Sequence, residues 1–128
     1  MAFEEMLTFT RTSAVAAADL SAKQYYAVSL TSTGLNLATA AKNIDGFLQD
    51  NPASGRMGSY ATSGFSKAAI SASQALTAGV TLLEVDTGST LKILASGTAV
   101  AKSLETLAST ASVCIVAVEM LKSAAAFT

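Results

Sequence analysis

The sequence predicts an all-β protein: one small β-sandwich or barrel-like domain of short antiparallel strands and hairpins over residues 19–128, behind an extended N-terminal arm over 1–18, with at most one short helix. Three observations predict it. In LTAGVTLLEVDTGSTLKILASGTAVAKSLETL, residues 76–107, an apolar run meets Asp86-Thr87-Gly88-Ser89 and a second apolar run starts at once, the pattern of a β-hairpin. Tyr26, Val28 and Leu30 alternate with Tyr25, Ala27 and Ser29, the period of a half-buried strand. Turn residues, Thr33-Gly34 and Asn51-Pro52-Ala53-Ser54-Gly55, interrupt the apolar segments at short intervals.

Taken in order, SAVAAADLSA over 13–22 has the alanine content of a helix but is too short to be stable alone, so an extended or irregular lead-in ending at Asp19 is expected. Residues 24–38 form a hairpin turning at Thr33-Gly34, with Leu35 and Leu37 sharing one face of the return strand. A short strand follows over 44–48, closed by the 51–55 turn, where proline fixes its own φ and removes a donor. Between Arg56 and Ser73 the signal weakens, and one strand is expected around 64–70. Val80–Val85 and Leu91–Leu94 make the clearest hairpin. Residues 98–108 fit both a helical face (Val100, Leu104, Leu107) and a strand (Thr98, Val100, Lys102, Leu104). Val113–Leu121, apolar on both faces, is expected to run through the middle of the core. No repeat of 20–50 residues is visible, so a solenoid is not supported.

Composition narrows the function. At 128 residues the chain suits one domain, burying roughly two thirds of its unfolded surface. Apolar residues make up 51% and the mean hydropathy is +0.46, yet much of this is alanine, and the longest apolar run in the C-terminal half is Val113 to Val118. A bilayer-spanning helix needs about 20 such residues, so no membrane partner is expected. MAFEEMLTF carries Glu4 and Glu5 where a secretory signal is basic, which points to synthesis in the cytoplasm. Eight Lys+Arg against nine Asp+Glu give a net charge of −1 with no basic cluster, so nucleic acid is not an expected partner. A charged fraction of 13% leaves a neutral, weakly hydrated surface that suits assembly.

Enzymatic chemistry finds little to work with. There is no histidine, which removes Ser-His-Asp and Cys-His arrangements and histidine metal sites. Cys114 is the single cysteine, so neither an intramolecular disulfide nor a thiolate zinc site forms; in VCIVAV it reads as a small buried hydrophobe. The stretch from Ser96 to Ser103 ends in Lys-Ser like a phosphate-binding loop, but Ser96 and Ala101 stand where its two glycines are required. Glu84 and Asp86 are two apart and able to share a cation or a proton, but beside a turn they read as a solvated edge with a turn-forming aspartate. Tyr25 and Tyr26 lack the basic frame of a base-stacking platform; as strand neighbours one faces the core, and Tyr25 is assigned to the surface or to an inter-subunit contact. No catalytic residue, cofactor or metal site is expected.

The remaining signal is the pattern itself: DLSAKQYYAVSLTSTGLNLAT at 19–39, IDGFLQDNPASG at 44–55, then the 76–107 hairpin region. In this order and spacing the chain resembles a family of tailed-phage capsid cement, or head decoration, proteins, over about four fifths of its length. The carrying motifs are Gln24–Val28, Gly46-Phe47-Leu48-Gln49 leading to Pro52 and Gly55, and Leu76-Thr77-Ala78-Gly79 leading to Val85-Asp86. Two departures stand out: residues 1–18 are longer and more hydrophobic than the family's lead-in, and Ala101-Lys102-Ser103 replaces a glycine-containing late strand.

The resemblance implies a non-enzymatic structural protein on the outer surface of an icosahedral head, commonly a homotrimer, that clamps neighbouring major capsid proteins. On that reading the arm residues Phe3, Met6, Leu7 and Phe9 contact the capsid, donated as a strand edge. Deleting residues 2–12 is then expected to weaken attachment and leave a folded domain. The alternative for these four residues is completion of the domain's own core. Rival readings are a phage tail or baseplate subunit, and a helical protein-interaction module built from the alanine-rich segments.

Overall fold

Nine strands run through residues 9–121, the part of the chain that the computed structural model describes: β1 (Phe9–Val15), β2 (Ala27–Thr31), β3 (Gly34–Leu37), β4 (Gly46–Leu48), β5 (Met57–Ile70), β6 (Leu82–Val85), β7 (Leu91–Ile93), β8 (Ala101–Ser103) and β9 (Cys114–Met120). The fold is all-β, as predicted, and there is no helix among the described residues. That overturns the helical interaction module: alanines of the 13–22 segment sit in β1 and the turn after it, where pairing with β5 outweighs their helical propensity.

Both predicted hairpins are present. β2 and β3 pair from Val28↔Leu37 to Thr31↔Gly34, and β6 and β7 from Leu83↔Ile93 to Val85↔Leu91. The second turn needs left-handed backbone at Gly88 (φ 84) and Ser89 (φ 71), which glycine adopts freely and serine at some cost. Within residues 98–108 only Ala101–Ser103 form a strand, β8, and the rest is irregular: Ala101 and Ser103 point inward while Lys102 points out to Glu119, a period of two. β9 buries Val116, Ala117 and Val118 between β5 and β8, but its flank is wetter than expected, with Val113 and Ile115 exposed.

β5, with 14 residues, is twice the length expected from the sequence and organises everything else. Its first half, Met57–Gly64, pairs with β1 and β4; its second half, Phe65–Ile70, pairs with β9 and, at Ile70↔Leu91, with β7. The halves meet at Gly64, whose φ of 92 turns the strand from one sheet into the other. Each half closes a small barrel. In the second, the order β5-β7-β6-β8-β9 returns to β5. In the first, β3-β2-β4-β5-β1 returns to β3 through the parallel bridge Ala16↔Leu35. The first barrel packs Ala16, Leu20, Val28, Leu35, Leu48 and Tyr60; the second core is larger and includes Ile70, Leu83, Val85, Leu91, Val116 and Val118.

The two barrels are one unit built twice, with β5 shared. β2 pairs with β3 and β4 as β6 pairs with β7 and β8, and β1 against β5 repeats as β5 against β9. Equivalent residues lie about 55 positions apart, Ala27 matching Leu82 and Phe47 matching Lys102. Hydrogen bonds repeat as well: Ala17 N–H to Leu35 O (2.9 Å) matches Ser71 N–H to Leu91 O (2.8 Å), and Leu48 N–H to Tyr26 O (3.0 Å) matches Ser103 N–H to Thr81 O (3.0 Å). Even a side chain recurs in role, Asp50 accepting Ser59 N–H and Glu105 accepting Ala117 N–H.

Candidate interaction surfaces

The residues that first drew chemical attention are occupied in holding the fold. Glu84 is buried, not part of a solvated edge: one oxygen accepts the N–H groups of Ala95 (2.9 Å) and Gly97 (2.8 Å), and the other faces Lys92 Nζ at 3.5 Å. Those two backbone donors, and then the Lys92 charge, hold its carboxyl below the ordinary value against the opposing effect of burial. Asp86 is the turn former the sequence indicated. It accepts Thr87 N–H (2.8 Å) and the Ser71 hydroxyl (2.7 Å), so the two carboxylates serve different partners.

The Ser96–Ser103 segment is a surface loop running into β8, not a strand-to-helix turn. A Cβ on Gly97 would lie 2.7 Å from the Cβ of Ala41, which explains the glycine by close packing. Cys114 is half-buried at the start of β9 beside the Thr110 hydroxyl (3.2 Å), with exposed neighbours on both sides. Among the described residues no cluster of three or more acidic, histidine or cysteine side chains is placed to hold a metal ion.

Tyr25 lies just before β2, not within it. It is half-buried at φ 70, a conformation uncommon for a bulky residue, and is held there by its N–H to Leu48 O (2.7 Å) and by its carbonyl accepting Ala69 N–H (3.0 Å). The second bond ties the two repeats together. Lys67 Nζ lies 5.9 Å from the Tyr25 ring centre, and Lys23 pairs similarly with Tyr26 at 4.9 Å.

Of the arm residues, Phe3, Met6 and Leu7 lie outside the described residues. Phe9 begins β1, where its backbone stands opposite Gly64. Deletion of 2–12 would therefore remove the register pairs from Phe9 to Thr12, so it tests the first barrel together with any arm contact.

The exposed apolar side chains were not singled out by the sequence, because their neighbours in strands look equally apolar. Six of the eight large ones among the described residues fall into two kinds. Met57 and Ile115 occupy the same position in the two repeats, each across from β1 or its β5 counterpart, and both are exposed. Val15 and Leu30 on the first barrel, and Val80 and Leu82 on the second, are exposed at positions whose counterparts in the other repeat are more enclosed. Such patches are interaction surfaces when contiguous.

No protein-family model matches the sequence, and no curated protein matches it either. Among solved structures, the chain is similar to the crystal structure of the head fiber gp8.5 N base of bacteriophage phi29: TM-score 0.58, 13% identity, covering 91% of this chain and 100% of that one. At that identity the likeness establishes a shared fold.

Proposed function

We propose that this chain is a non-enzymatic structural protein of a tailed-phage virion, a capsid cement or decoration protein. It binds the outer surface of the head as a homotrimer and stabilises contacts between major capsid proteins. The observation that carries the reading is the shared architecture: the whole of a head-fiber base domain superimposes on this chain, a domain type named for its place on a phage head. The motif resemblance over 19–55 and 76–107 points the same way from sequence alone.

The physics suits the role. A cement protein must add contact area at many identical sites, and standard interfaces bury roughly 1,600 Å² without needing a reactive group. A duplicated barrel of small polar and alanine residues with scattered exposed apolar side chains offers area at low desolvation cost. Nucleic acid and membrane have no part in this reading. Purified protein mixed with undecorated, expanded capsids of the parent phage is expected to co-sediment saturably, at a copy number set by the shell's symmetry. Absence of binding to competent capsids would reject the decoration role and move the assignment to a tail or baseplate subunit.

A further inference from the structure

Within the chain, repeat 1 (β1 to the first half of β5) seals one side of repeat 2 (the second half of β5 to β9). Ala27, Ala38 and Phe47 join the second core, and four backbone bonds close the seam: Ala27 N–H to Ser89 O (3.0 Å), Ala41 N–H to Val85 O (2.9 Å), Thr98 N–H to Ala41 O (3.0 Å) and Ala69 N–H to Tyr25 O (3.0 Å). Because the repeats are equivalent, each side of this seam has a counterpart on the opposite flank of the other repeat. There the seam is open.

On repeat 2, Leu82 is 39% exposed where its counterpart Ala27 is 1%. On repeat 1, Leu30 is 51% exposed where Val85 is 0%, and Val15 is 43% exposed where Ala69 is 1%. The polar groups match too. Ala16 N–H donates to Arg56 O (2.8 Å), so one residue back the Val15 N–H points away from β5, toward the flank where its counterpart on Ala69 donates to Tyr25. Gly79 repeats the role of Tyr25: its N–H donates to Ser103 O (2.8 Å) as that of Tyr25 donates to Leu48 O, and its φ is 75 against 70. Yet the Gly79 carbonyl receives no N–H from the described residues.

We propose that copies of this chain associate head to tail through the seam that already joins the two repeats. The outer face of β6 and the Gly79 carbonyl of one copy dock on Val15 and Leu30 of the next, as the outer face of β2 and the Tyr25 carbonyl dock on Ala69 and Val85 within the chain. The occupant is a second copy because the docking surface continues an interface already formed between two versions of the same unit. The contact is heterologous, so copies close into a ring or run on as a filament. It supplies the surfaces for the self-association proposed above and rests on repeat geometry alone; failure to bind capsids leaves it standing.

The test uses the full chain and two variants, Leu30→Asp and Leu82→Asp, each placing a charge on an already exposed position of the single chain. Wild type is expected to sediment as an oligomer, and each variant as a folded 12.9 kDa monomer with wild-type circular dichroism. An equimolar mixture of the two is expected to give a dimer, because one intact seam remains between them. Ile115→Asp, exposed but away from both open flanks, is expected to keep the wild-type mass. A monomeric wild type, variants that keep the oligomer, or a mixture that stays monomeric would each overturn the proposal.

Discussion

Phe47 and Lys102 occupy the same register position in two copies of one unit, and replacing each by alanine is expected to have opposite consequences. Phe47 is fully buried where the first barrel enters the second core, while the Lys102 side chain is 34% exposed and reaches Glu119 Oε1 at 3.4 Å. Phe47→Ala removes a whole ring from the fully buried second core, where the cavity left behind collapses only in part, and the cost is about 3–5 kcal/mol. Against a total stability of roughly 5–15 kcal/mol this lowers the melting temperature by about 10–20 °C. Lys102→Ala loses an exposed ion pair and costs less than about 1 kcal/mol. Urea and thermal denaturation of dilute protein, followed by far-UV circular dichroism, measure both. A Phe47→Ala cost below about 1 kcal/mol, or equal costs for the two variants, would refute the reasoning that the repeats are fused through Phe47.

The same packing predicts three further outcomes. Because the folded Glu84 carboxyl titrates below its ordinary value of 4.5, its contribution to stability is present above that pH and is lost as pH falls through the folded value. Urea midpoints of wild type against Glu84→Gln are expected to differ most near neutrality and converge in acid; a constant gap would reject the assignment. Tyr60, buried and near the Asp45 charge, has its phenol pushed above the ordinary 10.0, so wild type loses stability as pH rises through that folded value, and Tyr60→Phe is expected to lack this alkaline loss. Gly46→Ala would set a Cβ onto the carbonyl oxygen of Ala61 and 2.9 Å from the Tyr60 ring, forcing β4 off β5. Its cost is expected at the upper end of the ~1–3 kcal/mol typical of overpacking, read from the urea midpoint.

The hairpins were legible because their turns are written in local chemistry: Thr33-Gly34 and Asp86–Ser89 demand backbone that few other residues accept. β1 and the first half of β5 were not. SAVA and GSYATSG carry small residues whose strand state is set by partners far along the chain, as in Thr12↔Tyr60, and not by local preference. The duplication was hidden for a related reason. Equivalent positions face different surroundings, so Ala27 and Phe47 suit a buried seam where Leu82 and Lys102 suit an open flank, and the residue identities diverge while the hydrogen bonds do not. Glu84 was misjudged because its place beside the 86–89 turn reads as a solvated edge; the 95–97 loop that folds over it has no sequence signature.

The weak surface field of this chain follows from where its carboxylates are spent. Of the seven acidic residues from Asp19 to Glu119, six accept a backbone N–H: Asp19 from Ser21, Asp45 from Leu30, Asp50 from Ser59, Glu84 from Ala95 and Gly97, Asp86 from Thr87, and Glu105 from Ala117. The seventh, Glu119, faces Lys102. Each such carboxylate satisfies a donor that a loop-rich barrel would otherwise leave to water; Glu84 does so buried and Asp50 and Asp86 half-buried, while Asp19, Asp45 and Glu105 do so at the surface. What faces outward is then mostly hydroxyl, methyl and a few apolar side chains. Covering that surface with another protein strips little bound water and strands few charges, so modest shape complementarity suffices for association. A chain whose charges were free would be more soluble alone and harder to pack against a neighbour. In this one most carboxylates are engaged with backbone inside each barrel, which favours function by contact.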